Sequence, residues 1–169
     1  MLRLRLSVWL AAATALVAAA ALVMHAAALT ITSAAITFPD VTLDGTDQTV
    51  TGSTSAWRAD ATGESGGWNV TVASTDFDYG AGKIIAVSNF QIRLLDANIV
   101  IVSGDTNKPL STQATFASLS GTALKMASAA VGEGDGVYDL TPGFRLMVPA
   151  ETFTGNYTAT VTVAIGAGP

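Results

Sequence analysis

The 169-residue chain is predicted to fold as an all-β protein: a single antiparallel β-sandwich domain of about eight short strands after an N-terminal signal peptide. Three observations predict it. Beyond residue 28 no segment sustains a 3.6-residue apolar period. Thr, Val, Ile and aromatic residues recur there in short runs split by Gly, Asp, Asn and Pro. Two runs also alternate cleanly, one opening on Trp68 and the other ending the chain.

Residues 1–28 read as an export signal. Arg3 and Arg5 form a short basic start, an Ala/Leu/Val run follows over residues 6–24, and Ala26-Ala27-Ala28 offers the small residues a signal peptidase reads. The rival is a retained membrane helix, since the run is about long enough to span a bilayer. No basic residues follow the run and an Ala-rich site does, which favours cleavage after Ala28.

The remaining 29–169 make one domain, with no internal repeat and no linker. At about 141 residues it can bury roughly two thirds of its unfolded surface, so it needs no disulfide, and the chain contains no Cys. A secreted domain without Cys is ordinary for a bacterial or archaeal envelope protein. Removing Arg3 and Arg5 leaves six basic against thirteen acidic residues, a net of −7. Such a chain is not expected to bind nucleic acid by neutralising phosphates. It is also repelled by anionic wall polymers, so a partner must be held by shape, apolar contact or a bridging cation.

In chain order, residues 29–38 read as a first strand whose apolar parity slips between Ile31 and Ile36, with a bulge near Ser33-Ala34. Pro39 ends its pairing. The Thr-rich stretch 41–54 is broken by the turn signal Asp44-Gly45. After Trp57 and a polar loop over 61–67, Gly66-Gly67 introduces the clearest strand. Trp68, Val70 and Val72 share its apolar face, and Asn69, Thr71 and Ala73 share the other. Trp68 is therefore expected in the core.

Residues 76–83 read as an acidic Gly-containing loop. Phe90, Ile92 and Leu94 mark a strand, 99–102 another, and Gly104-Asp105-Thr106-Asn107 a turn. Residues 111–131 fit neither period and are expected to hold short strands in a long connection. Glu133-Gly134-Asp135-Gly136 is a loop, and Phe144, Leu146 and Val148 form a strand closed by Pro149. From Tyr157 to Ile165 runs the longest alternation in the chain, with Thr158, Thr160 and Thr162 on the outer face.

The chemistry available is sparse. The single His, His25, lies in the leader, so the mature chain has neither His nor Cys. That removes histidine-assisted nucleophiles and the usual zinc ligand sets. A carboxylate pair about 5–10 Å apart would still serve glycoside hydrolysis, so a glycan-active enzyme stays as a third reading. No catalytic residue is assigned, and the acids sit mostly in loops beside Gly, Thr and Asn. Two alternating pairs, Asp76 with Asp78 and Glu133 with Asp135, are calcium candidates. Neither fits the EF-hand loop, and acidic turns that aid solubility are the simpler account. Trp68 and Trp57 could form a platform for sugar rings, but the in-register Val70 and Val72 argue for Trp68 in the core, and Tyr79 and Tyr138, beside Gly or Asp, are the better candidates for exposed contacts.

Trp68-Asn69-Val70 resembles the Trp-any-Leu signature of the WxL-domain family of bacterial cell-surface proteins, with Val in place of Leu. Asp60-Ala61-Thr62-Gly63 followed by Gly67-Trp68 is similar to the approach to that signature. Near the C-terminus Tyr157, Val161, Thr162, Val163, Ile165 and Pro169 match the spacing of the family's second signature. There Val replaces Leu, Val163 replaces a second Trp, and Ile165 replaces Leu. The resemblance implies a secreted β-sandwich held non-covalently at the cell surface, through peptidoglycan or partner surface proteins. No sorting motif or membrane helix follows Pro169, so a stand-alone domain is expected.

These readings predict a secreted, non-enzymatic protein at the extracellular cell surface, bound to a cell-wall polymer or to surface proteins. Contact with a membrane would come only through an uncleaved signal. The alternative is a self-assembling subunit of an extracellular filament or surface layer, built by adding residues 29–38 to a neighbour's open sheet edge.

Overall fold

The structure is a computed structural model and describes residues 28–169; the leader predicted over 1–28 falls outside the described residues except for Ala28. Among the described residues there are fourteen strands, two three-residue 3-10 turns and no α-helix. The chain is all-β, and every strand pairing is antiparallel.

Three four-stranded sheets and one hairpin make up the domain. The first sheet orders β1 (Thr30–Thr32), β3 (Trp57–Asp60), β12 (Gly136–Leu140) and β8 (Ile99–Gly104). The second orders β10 (Ala117–Ser118), β7 (Phe90–Arg93), β13 (Gly143–Val148) and β2 (Gln48–Gly52). The third orders β14 (Val161–Ala167), β4 (Trp68–Ser74), β11 (Leu124–Ala129) and β9 (Leu110–Ser111). The hairpin joins β5 (Phe77–Gly80) to β6 (Lys83–Ile85).

The inward faces meet over one core. A chain of aromatic rings runs through it: Phe77 against Phe90 at 5.2 Å, Phe90 against Phe144 at 5.7 Å, and Phe144 against Trp57 at 5.8 Å. Aromatic pairs at these separations add to the area they bury. Trp68 is wholly buried at the head of β4, where its ring lies 5.9 Å from that of Tyr138. Its indole Nε1 donates to the Gly134 carbonyl at 2.9 Å. Two glycines make room for it. A Cβ on Gly134 would stand 2.9 Å from Nε1, and one on Gly67 would stand 2.7 Å from the Ala129 carbonyl oxygen. Both also sit at positive φ, +74° and +77°, where a side chain is strained.

More strands form than alternation predicts, because strands of two or three residues are too short to alternate. Within 111–131, the stretch without a period, lie the two-residue β10 and the six-residue β11, whose alternation is broken by a register shift between Lys125 and Ala127. Residues 76–83 are a hairpin and not a loop: Gly80, Ala81 and Gly82, all at positive φ, form its turn. Tyr138 is likewise corrected. It lies in β12 and is fully buried, because the strand begins at Gly136 and turns Tyr138 and Leu140 inward. Its hydroxyl donates to the Asp105 carbonyl at 3.1 Å. The N-terminal strand breaks near the expected place. β1 ends at Thr32, and the chain pairs again only at the lone bridge between Thr37 and Ser53.

Candidate functional site: an apolar groove beside an unpaired strand edge

β4 and β14 are neighbours with the same kind of alternation, yet their burial differs. Trp68, Val70 and Val72 of β4 are fully buried. On β14 Val161, Val163 and Ile165, and before it Tyr157 and Ala159, are only half-buried. β14 is the outer strand of its sheet and pairs only with β4.

Its hydrogen bonds show which backbone groups are left over. Thr75 donates to the Thr160 carbonyl at 3.0 Å, and Thr158 and Asp78 exchange bonds at 2.8 and 3.1 Å. In antiparallel pairing successive residues aim their backbone groups to opposite sides. Since Thr158, Thr160 and Thr162 face β4 and the hairpin, the N–H and C=O groups of Ala159, Val161 and Val163 point along the unpaired edge.

A groove of about 870 Å³ opens beside that edge. Residues 152–163 form one wall and the N-terminal segment 33–43 the other, with Trp57, Phe77, Phe90 and Leu146 among the floor. Asp40 is the one charged residue in the lining, in a chain with thirteen acids. The indole N–H of Trp57 is buried and has no hydrogen-bond partner among the described residues. A buried donor left unpaired costs roughly 1–3 kcal/mol.

The 152–158 loop is clamped from the hairpin. Tyr79 stacks on Tyr157 at 5.7 Å, and the Lys83 ammonium sits 3.6 Å above the Phe153 ring. Gly155 is needed there because a Cβ would meet the Tyr79 ring at 2.5 Å. Tyr79 is half exposed, as expected from its place beside a glycine.

Three of the four acids singled out in the sequence accept from backbone N–H groups, Asp78 within its own turn and Asp76 and Asp135 from segments distant in sequence. Asp76 Oδ1 accepts from the Val87 N–H at 2.7 Å, Asp78 Oδ1 from Gly80 at 2.6 Å, and Asp135 Oδ1 from Gly63 at 2.6 Å. Glu133 and Asp135 flank Gly134, whose carbonyl is turned toward Trp68. Among the described residues no three His, Cys, Asp or Glu converge on a point that could hold a metal ion. A second, acidic hollow is lined by Glu64, Asp105 and Asp135; Glu64 and Asp105 each close a turn through a backbone N–H, and Asp135 ties its loop to the Gly63 N–H.

The two motif stretches are hydrogen-bonded neighbours. Trp68 opposes Ala167, Val70 opposes Ile165, and Val72 opposes Val163. Thr162 and Pro169 are exposed. Trp68 and Val70 thus lie in the core and Tyr157, Val161 and Val163 line the groove, while Thr162, Ile165 and Pro169 do neither. Sequence reasoning missed the groove itself and Phe38, Phe77 and Phe153 within it. The half-covered face of β14 has the same alternation as a covered one, so no sequence signal separates them.

No family model matches the chain, and no curated protein sequence does. Among solved structures it is similar to a family 123 glycoside hydrolase from Clostridium perfringens, at 16% identity and a TM-score of 0.38. That similarity covers 72% of this chain and 18% of the hydrolase chain.

Proposed function

We propose that the chain is a secreted, non-enzymatic protein of the cell surface that associates non-covalently with partner surface proteins. The groove would take in an extended segment of the partner. The observation that carries this is the bare edge over Ala159, Val161 and Val163 beside a nearly uncharged apolar groove. An edge of this kind binds a peptide strand through main-chain hydrogen bonds, while the groove accepts its alternate side chains. Export rests on the leader sequence, and the non-enzymatic reading on the lack of His and Cys after residue 28. The resemblance to WxL domains supports the same placement at the surface. A net charge of −7 after leader removal disfavours anionic wall polymers, so a protein partner is favoured over peptidoglycan.

The test is retention of the purified, exported chain by three preparations: intact envelopes, envelopes stripped of surface protein by protease, and purified peptidoglycan. Retention by intact envelopes alone is expected, with at least a tenfold loss in Val161→Asp, a change at a half-exposed rim position. Equal retention of the variant would overturn the groove as the binding site. Undiminished binding to purified peptidoglycan would assign the partner to the wall polymer instead.

A further inference from the structure

We infer that the outer face of the second sheet binds the carboxylate of an acidic sugar, held between Arg93 and Arg145. The site is separate from the groove, which takes Val50, Phe90, Leu146 and Val148 from the opposite face of that sheet.

Cations are scarce beyond the leader, six against thirteen acids. On the first sheet the arginine is neutralised: Arg58 of β3 donates two hydrogen bonds of 2.9 Å to the Asp139 carboxylate of β12. The second sheet is built the other way. Its strands β2, β7, β10 and β13 contain two arginines and no Asp or Glu. Among the described residues neither Arg93 nor Arg145 has a carboxylate within 4.0 Å, and residues 1–27 contain no acid that could supply one.

The two guanidiniums are nonetheless fixed in place. Arg93 and Arg145 are diagonal neighbours on the β7–β13 ladder, where Gly143 opposes Arg93 and Gln91 opposes Arg145. Both lie over the Phe116 ring, 4.5 and 4.4 Å from its centre, so their Cζ atoms stand no more than about 9 Å apart. Arg145 Nε also donates to Gln91 Oε1. A guanidinium stacked by its flat face keeps N–H groups at its rim for a ligand. One carboxylate accepting bonds of about 2.7–2.9 Å from each arginine bridges a gap of this size. Such an anion also relieves the repulsion between two like charges that no acid compensates.

The neighbouring groups suit a sugar. Ser118, Gln91, Arg145 and Thr51 oppose one another in turn across all four strands. At ordinary strand spacing this row of hydroxyl, amide and guanidinium groups is about 14 Å long. Hydroxyls and amides both donate and accept, as sugar hydroxyls do. A peptide finds less to hold. β7 and β13 are inner strands paired on both sides, so they offer no backbone edge, and the arginines already occupy the Phe116 ring. The net charge of −7 repels a dense polyanion, but it is screened beyond about 8 Å in physiological salt. A glycan with spaced carboxylates is therefore favoured.

The probe is a tetrasaccharide of alternating glucuronic acid and N-acetylglucosamine, titrated calorimetrically into the exported full chain. Its uncharged methyl ester is expected to bind about tenfold more weakly or worse. Arg93→Gln and Arg145→Gln should each lose about tenfold in affinity while melting like the wild type. Lys125→Gln, which removes a cation from the third sheet, and Val161→Asp in the groove should bind the tetrasaccharide like the wild type. Equal binding of acid and ester, unchanged affinity in both arginine variants, or an equal loss in Lys125→Gln would overturn the inference. A Glu-Gly-Glu-Gly peptide that binds as tightly would assign the face to protein carboxylates and overturn the sugar. Acetate or sulfate binding as tightly would do the same in favour of a bare anion.

Discussion

Trp68→Ala tests whether this side chain holds the fold together or serves as a binding platform. A Trp side chain buries about 150–250 Å², and at roughly 25 cal/mol per Å² this is worth ~4–6 kcal/mol as an upper bound. Measured truncations of buried aromatics to Ala cost about 3–5 kcal/mol, cavity included. Here the substitution also leaves the buried Gly134 carbonyl without the indole donor at 2.9 Å, a further ~1 kcal/mol. The expected loss is therefore about 4–6 kcal/mol, a large share of the roughly 5–15 kcal/mol by which a domain is stable. Urea unfolding followed by far-UV circular dichroism measures it, since that signal does not depend on the missing Trp. Trp68→Phe keeps most of the apolar volume and should lose only about 1–2 kcal/mol. The reasoning is refuted if Trp68→Ala costs under about 1 kcal/mol while retention by envelopes is lost.

Phe38→Ala removes two edge-on ring contacts from a half-buried site and should cost about 1–3 kcal/mol. Limited proteolysis should then cut first within residues 29–38, and cleavage elsewhere would contradict Phe38 as the ring that seats this segment. Acid should destabilise the domain through three aspartates. The bidentate Arg58 hydrogen bonds and charge hold Asp139 below its ordinary value, and Thr46 and Thr62 hydrogen bonds do the same for Asp44 and Asp60. A lowered folded pKa gives stability that is full above the unfolded value of about 4 and is lost as pH falls through the folded one. The melting temperature should therefore hold from neutral pH down to about 5 and fall below about 4, with a shallower fall in Asp139→Asn. Calcium and chelator should give the same melting temperature, because Asp76, Asp78 and Asp135 are each engaged by a backbone N–H. A higher value in calcium would show that those carboxylates still bind the ion.

The sequence exposed the fold class because strand alternation is a local property. Trp68, Val70 and Val72, then Phe90, Ile92 and Leu94, each mark one face without reference to any neighbour. Tyr138 was misread because its surroundings, Gly136 before it and Asp139 after it, have the composition of a turn. Only its pairing with β3 and β8 makes it central. The hairpin of β5 and β6 was hidden for a related reason: Ala81 takes a positive φ that a sequence does not announce. The calcium candidates were legible as residues, but their hydrogen bonds to Val87, Gly80 and Gly63 were not.

The groove was illegible for a deeper reason. Alternation reports which side chains a strand offers to an interior, and not whether an interior is present to receive them. Tyr157, Ala159, Val161, Val163 and Ile165 form the most regular apolar face in the chain, so on pattern alone they belong to the best-covered strand. They lie instead on an outer strand whose face is half covered and whose edge is unpaired. Leaving five apolar side chains partly in water forgoes burial that could stabilise each larger one by about 1–3 kcal/mol. An open seam lined by such residues, with an orphan indole donor among its walls, is consistent with the proposed seat for a partner's extended segment.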